Sequence, residues 1–169
     1  ALDVGYNQLA WKLRQDERVV VMERTNFRYV TPTDLTEGMP EFATIDVSFI
    51  SLRLILPVLK NLLIPGSDVV ALVKPQFEAG RDQVGKKGIV RDKKVHIQVV
   101  SEIINFALKE KYTIEDLSFS PITGGDGNIE FLLHLSFQGE DVEGALKLNE
   151  SVEEVVAHAH AQLQATKGE

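Results

Sequence analysis

The stretch Asp68-Val69-Val70-Ala71-Leu72-Val73-Lys74-Pro75-Gln76-Phe77-Glu78-Ala79-Gly80 reads as a strand that ends on a cation. Val69 to Val73 is apolar without alternation, the pattern of a strand covered on both faces in a parallel sheet flanked by helices. Pro75 disfavours the helical region for Lys74, so the backbone leaves the sheet extended. The lysine is thereby held at the carboxyl end of a central strand, where open α/β sheets bind their ligands. A strand-end lysine that merely reaches for water has the same local sequence. Its neighbours must decide between the two.

Outward from this strand, the upstream turn Pro65-Gly66-Ser67 follows Ser51 to Leu63, apolar almost all round like a helix pressed on a sheet. Pro57 restricts where that helix begins or bends. Phe42 to Val47 is a further strand carrying Asp46 near its end, and Val19 to Met22 another. Asn7 to Gln15 has helical composition with Leu9, Ala10 and Leu13 on one side, and Ala1 to Gly5 looks like the end of a strand. Downstream, Asp92 to Lys111 predicts a long amphipathic helix with a stripe from Val95 through Val99, Ile103 and Ala107. Tyr112 to Ser120 and Ile129 to Phe137 predict two strands that pair as a wide antiparallel hairpin. Ser151-Val152-Glu153-Glu154 has the capping-box form, opening a helix that runs to about Gln164. Strands alternating with helices mean an α/β sheet with helices on both faces.

Composition removes several chemistries. With 169 residues the chain suits one domain, and its 25% charged and 44% hydrophobic content is that of a globular protein. The absence of cysteine excludes disulfides, thiolate nucleophiles and thiolate metal sites, and fits a reducing compartment. The longest apolar run, Leu54 to Pro65, is broken by Lys60 and Asn61 and is too short for a bilayer, so a cytoplasmic protein without membrane contact is expected. His158 and His160 lie roughly 200° apart around a helix, and His96 and His134 have no evident partners, so no metal is expected. Ser48 and Ser51 lack a histidine at readable spacing for hydrolysis. Charge is uneven: Arg81 to Lys94 holds six basic residues against Asp82 and Asp92 in a chain of net charge −7. That segment suits either a solvated loop or phosphate contact.

Three charged residues stand at or within strand ends: Asp46, Lys74 and Glu130. Singly, Asp46 could cap a helix, Lys74 could be solvated and Glu130 could pair with a surface cation. An ionised Glu130 between Ile129 and Phe131 is expensive without a partner. Together, the three could form a cluster that positions a hydroxyl group.

At this point five stretches carry a resemblance: Asp3-Val4-Gly5-Tyr6-Asn7-Gln8-Leu9, Glu23-Arg24-Thr25-Asn26, Asp46-Val47-Ser48-Phe49-Ile50-Ser51-Leu52, Leu72-Val73-Lys74-Pro75-Gln76-Phe77-Glu78 and Gly127-Asn128-Ile129-Glu130-Phe131. In order and spacing, from residue 1 to about 137, they resemble TlyA-type proteins. These are FtsJ-like ribose 2′-O-methyltransferases of ribosomal RNA, often labelled haemolysins. The resemblance implies S-adenosylmethionine as cofactor, ribosomal RNA or a ribosomal subunit as partner, and a Rossmann-like sheet whose last strand is antiparallel. The FtsJ-like catalytic set is lysine, aspartate, lysine and glutamate, and Asp46, Lys74 and Glu130 match its last three members. Asp3 matches the acidic residue that holds the cofactor's ribose hydroxyls. Asn26 falls where an aspartate lies near the adenine, and Phe27 packs either on that base or in the core. Asp46 also borders the cofactor. Arg81, Lys86 and Lys87 are candidates for phosphate contact, from their charge and their place after Lys74.

The resemblance also implies parts not found between residues 1 and 169. The family's first catalytic lysine, the Gly-rich loop that receives the cofactor, its preceding central strand and a small N-terminal RNA-binding domain all fall upstream of Ala1. The expectation is therefore a partial methyltransferase domain at residues 1–138 with an acidic helical extension at 139–169, inactive on its own. A non-catalytic cofactor- or RNA-binding module is the alternative. A membrane-active haemolysin needs an apolar span or a basic amphipathic helix, and the sequence offers neither.

Overall fold

Four strands form one sheet in the computed structural model, which describes residues 1–165. They are β1 (Phe42–Ile45), β2 (Ser67–Val73), β3 (Tyr112–Phe119) and β4 (Phe131–Phe137), in the order β1-β2-β4-β3. β1 and β2 are parallel, whereas β4 runs antiparallel to both β2 and β3. The wide hairpin expected from the sequence is thus present, with its second strand inserted between β2 and β3. Helices α1 (Trp11–Arg14), α2 (Leu56–Leu59), α3 (Pro75–Glu78), α4 (Lys93–Lys109) and α5 (Val152–Ala165) accompany the strands.

Strand β2 departs from the expectation in one respect. Val69, Ala71 and Val73 are fully buried, but Val70 and Leu72 between them are only half-buried. The register explains the difference. It sets His134 of β4 beside Val70 and Ser136 beside Asp68, so this face of the sheet carries polar groups. His134 Nε2 lies 2.9 Å from Asp68 Oδ1, and Ser136 donates to Glu115 at 2.7 Å.

Three upstream elements are also shorter than their patterns suggest. Val19 to Met22 contributes a single parallel bridge from Met22 to Leu2 rather than a strand. The Gly5 carbonyl already accepts from Arg24, which turns the chain away from further rungs. The helix expected over Asn7 to Gln15 shrinks to α1, because Asn7 takes a left-handed conformation (φ 58°) and Ala10 is extended. Its Trp11 and Leu13 are exposed. Ser51 to Leu63 breaks into a 3-10 turn at Leu52–Leu54 and then α2. Pro57 lacks an N–H and is tolerated only within a first helical turn, so the α-helix restarts beside it.

The downstream half follows its sequence closely. Asp92 caps α4 by accepting from the Lys94 N–H at 2.8 Å, and the predicted stripe is buried. Ser151 accepts from the Glu154 N–H at the start of α5, whose Val152, Val155, Val156, Ala159 and Leu163 join the same core. The outer edge of β3 is covered by residues 144–147: Ile114 donates to Ala145 and accepts from Lys147, both at 2.8 Å. Gly144 permits this approach, since a Cβ there would lie 1.9 Å from the Tyr112 carbonyl oxygen. Covering an edge in this way blocks unwanted strand pairing.

Between α4 and α5 the structure corrects the reading of the histidines. His96 is completely buried, with Nδ1 2.7 Å from His160 Nε2 and Nε2 2.9 Å from the Val90 carbonyl. The carbonyl can only accept, so His96 Nε2 donates to it and Nδ1 accepts from His160. Burial, followed by the neighbouring His160, pushes the His96 pKa down to about 4. His160 is lowered as well, chiefly by burial and then by Lys93. A histidine held below its unfolded value binds protons preferentially in the unfolded chain, so stability is full at neutral pH and falls as pH drops from about 6.5 toward 4. Urea unfolding at a series of pH values is expected to show that loss, and to show a shallower slope for His96→Gln. An unchanged slope contradicts the assignment.

Candidate active site

Parallel pairing of β1 with β2 sets Ile45 beside Ala71, so the two chains leave the sheet side by side. Asp46 follows one strand and Lys74 the other. Lys74 Nζ lies 2.5 Å from Asp46 Oδ1 and donates to Ser48 Oγ at 3.2 Å. The lysine side chain is 13% exposed and the aspartate 71%. The cation is thus drawn out of solvent while its carboxylate partner faces outward. Pro75 starts the one-turn helix α3 directly after Lys74, which itself stays extended (φ −110°, ψ 99°) as the Lys-Pro sequence requires.

Two aromatic rings stand beside this pair. Phe77 of α3 has its centroid 6.0 Å from Lys74 Nζ and 4.8 Å from the ring of Phe49. Phe49 is 89% exposed and has φ 62°, an uncommon conformation for a bulky side chain. Sequence reading gave Phe49 no role, although its place three residues after Asp46 was the available signal.

Glu130 is buried immediately before β4, but it does not meet Lys74. Its Oε1 accepts from Gln76 Nε2 at 2.9 Å, so the carboxylate reaches the end of β2 through the residue two beyond the lysine. Gly124 packs directly on this carboxylate: a Cβ there would lie 2.1 Å from Oε1. By composition Pro121 to Asn128, with Gly124, Gly125 and Gly127, reads as a flexible connection, whereas in the structure this turn is a cover over Glu130. Gln76 Oε1 is buried without a protein partner.

On the other side of Asp46 opens a cavity of about 650 Å³. Asp3, Asn26, Phe27 and Asp46, the four residues expected to touch a cofactor, all line it, together with Gly5 and Phe49. A volume in this range accommodates a nucleoside-sized ligand. Asp3 Oδ1 accepts from the Gly5 N–H at 2.7 Å, which fixes the carboxylate at the wall. Asn26 Oδ1 accepts from the Arg28 N–H, capping the turn Phe27–Tyr29, which leaves Nδ2 as the group to engage a ligand. Phe27 is partly buried and packs against the core. Two carboxylates and an amide on one concave wall suit the hydroxyls, ring edge and positive charge of S-adenosylmethionine.

Arg81, Lys86 and Lys87 are exposed on the segment that follows α3. Asn128 fastens the end of this segment: Oδ1 accepts from the Val90 N–H and Nδ2 donates to the Gly88 carbonyl, both at 3.0 Å. The basic loop and the turn over Glu130 are thus joined. Among the described residues there is no group of three or more potential metal ligands, and no helix is long and apolar enough to cross a membrane.

Comparison with known proteins gives three kinds of match. A family model described as FtsJ-like methyltransferase matches residues 1–137. The chain is 70% identical over 169 residues to the protein named "Putative rRNA methyltransferase YqxC" from Bacillus subtilis (strain 168), covering 100% of this chain and 60% of that protein. It is 40% identical over 157 residues to "16S/23S rRNA (cytidine-2'-O)-methyltransferase TlyA" from Mycobacterium tuberculosis (strain ATCC 25618 / H37Rv), covering 93% and 58%. A solved structure titled "Putative hemolysin from Streptococcus thermophilus" superposes with a TM-score of 0.94 at 53% identity, over 100% of this chain and 60% of that one. The chain therefore spans about three fifths of the length of these relatives.

Proposed function

The chain belongs to the FtsJ-like methyltransferase family, and from that premise we propose that it serves methyl transfer from S-adenosylmethionine to a ribose 2′-hydroxyl of ribosomal RNA. The observation that carries the proposal is the Asp46–Lys74 pair, with Asp46 shared between the lysine and the wall of the 650 Å³ cavity. Residues 1–138 act as a partial methyltransferase domain and 139–169 as its acidic C-terminal extension, which carries α5. A cytoplasmic location accords with such a substrate.

S-adenosylmethionine, when bound, supplies a methyl group from its sulfonium and leaves as a neutral thioether. Asp3 would accept from the cofactor's ribose hydroxyls, and its bond to the Gly5 N–H holds the carboxylate at the cavity wall. Asn26 would donate through its free Nδ2 to the adenine edge, and Phe27 would pack beside the base. Asp46 holds Lys74 Nζ at the border of the cavity, and Ser48 restrains the same nitrogen from a second direction. The Lys74 ammonium, held by Asp46, would donate to the 2′-oxygen, keeping it in line and stabilising the negative charge that develops as it attacks, while the hydroxyl proton passes to solvent. Holding the reacting oxygen in line contributes several orders of magnitude to rate. Glu130, fixed by Gln76 and by the cover at Gly124, acts on the turn after Lys74 through Gln76 rather than on the lysine itself.

The exposed Phe49, backed by Phe77, offers a stacking surface for an unpaired base, the usual means by which proteins grip single-stranded RNA. Arg81, Lys86 and Lys87 neutralise backbone phosphates along the approach.

Two measurements test this reading in the full-length protein, carrying any residues that precede Ala1. Lys74→Ala is expected to abolish methyl transfer to ribosomal RNA while calorimetric affinity for S-adenosylmethionine stays within a few-fold; retained turnover contradicts the role of the lysine. Replacing Lys86 and Lys87 by glutamine is expected to reduce the slope of log affinity against log salt by about 1.4, the value for two lost phosphate contacts to a single strand. An unchanged slope removes the loop from the RNA path.

A further inference from the structure

Glu78 belongs to none of the groups assigned above, yet its carboxylate is enclosed beside the site. Its side chain is 3% exposed. Oε2 accepts from the Ser51 hydroxyl at 2.6 Å, Oε1 accepts from the Leu52 N–H at 2.8 Å, and the Arg53 guanidinium lies 3.5 Å from Oε2. Ser51 Oγ in turn accepts from the Arg53 N–H at 3.0 Å, so the start of the 3-10 turn Leu52–Leu54 is built around this one carboxylate. Burial raises the Glu78 pKa, opposed by Ser51, Leu52 and Arg53. A carboxylate enclosed to this degree is costly unless each contact is kept.

The position of Glu78 in the chain gives the arrangement its meaning. Lys74 and Glu78 flank the single turn of α3, so one rigid unit carries the lysine at its start and the carboxylate at its end. The segment it grips, Ser51 to Arg53, follows immediately on the loop that bears Asp46, Ser48 and Phe49. The Phe49–Phe77 ring contact joins the same two segments. Asp46 itself is 71% exposed, and an ion pair half open to water is too weak to set a loop's course by itself.

We propose that Glu78 is a positioning residue for methyl transfer: its carboxylate clamps the loop 46–52 against α3 and thereby sets the distance between Asp46 and Lys74. The proposal rests on the function proposed above for this site. It assigns Glu78 no contact with cofactor or RNA.

The test compares Glu78→Ala, Glu78→Gln and a control, Val100→Ala, in the full-length protein. Val100 is fully buried in α4 and has no part in the site, so its truncation lowers stability without touching the clamp. Methyl-transfer kcat, KM for RNA, thermal melting and amide hydrogen exchange are read for each. Glu78→Ala is expected to lose about a hundredfold in kcat, the cost of a misplacement near 1 Å, with little change in KM for RNA. It is also expected to speed exchange within residues 46–52 selectively. Glu78→Gln keeps an acceptor for the Leu52 N–H and is expected to recover most of the kcat. Val100→Ala is expected to melt earlier with kcat unchanged. Unchanged kcat in Glu78→Ala, equal kcat losses in Glu78→Ala and Val100→Ala, or unchanged exchange in 46–52 each overturn the proposal. Absence of ribose methylation by the parent protein overturns the functional reading instead, and hydrogen exchange then still decides whether Glu78 holds the loop.

Discussion

A lysine ammonium held almost out of solvent at the end of a strand must be answered by a nearby carboxylate, and the contact of Lys74 with Asp46 is that answer. The contact exists because β1 and β2 are parallel and in register, so that both strands deliver their charged residues at the same rim. Its contribution to stability is small, since half of the pair faces water and such pairs contribute about 0–1 kcal/mol. Its consequence is geometric. The position of Nζ relative to the cavity depends on it, and catalysis by alignment is far more sensitive to position than folding is.

The surrounding structure constrains this contact from three directions. Glu78 and the Phe49–Phe77 rings join the loop after β1 to the turn after β2. Gln76 carries the same turn to Glu130 across β4. Asn128 ties the basic loop to the turn that covers Glu130. The antiparallel insertion of β4 makes the last two possible, because it brings the start of that strand beside the end of β2, with Val73 opposite Phe131. A wholly parallel sheet would carry Glu130 to the opposite rim.

Much of this was legible in local sequence. A charged residue after an apolar run and before proline located Lys74. The motif stretches located Asp3, Asn26 and Asp46, and Phe27 follows directly on one of them; all four meet on one cavity wall although they come from three separate segments between residues 3 and 46. Sequence reading failed where a residue's meaning depends on a partner distant in the chain. Glu78 received no role from the sequence, because the groups it holds, Ser51 and the Leu52 N–H, lie 27 and 26 residues away. His96 and His160, 64 residues apart, read as isolated histidines. The glycines at 124 and 125 suggested flexibility, whereas the close approach of Gly124 to Glu130 shows a packing requirement. The continuous apolar run of β2 concealed an alternation that only the polar residues of β4 reveal.

The central claim is that Asp46 and Lys74 act as one unit, and a double-mutant cycle on methyl transfer by the full-length protein tests it most directly. The rates of Asp46→Asn, Lys74→Gln and the double variant are compared with the parent. Residues acting as a unit give grossly non-additive effects. The account predicts a double variant no slower than the slower of the two single variants. Losses that multiply in the double variant would contradict it.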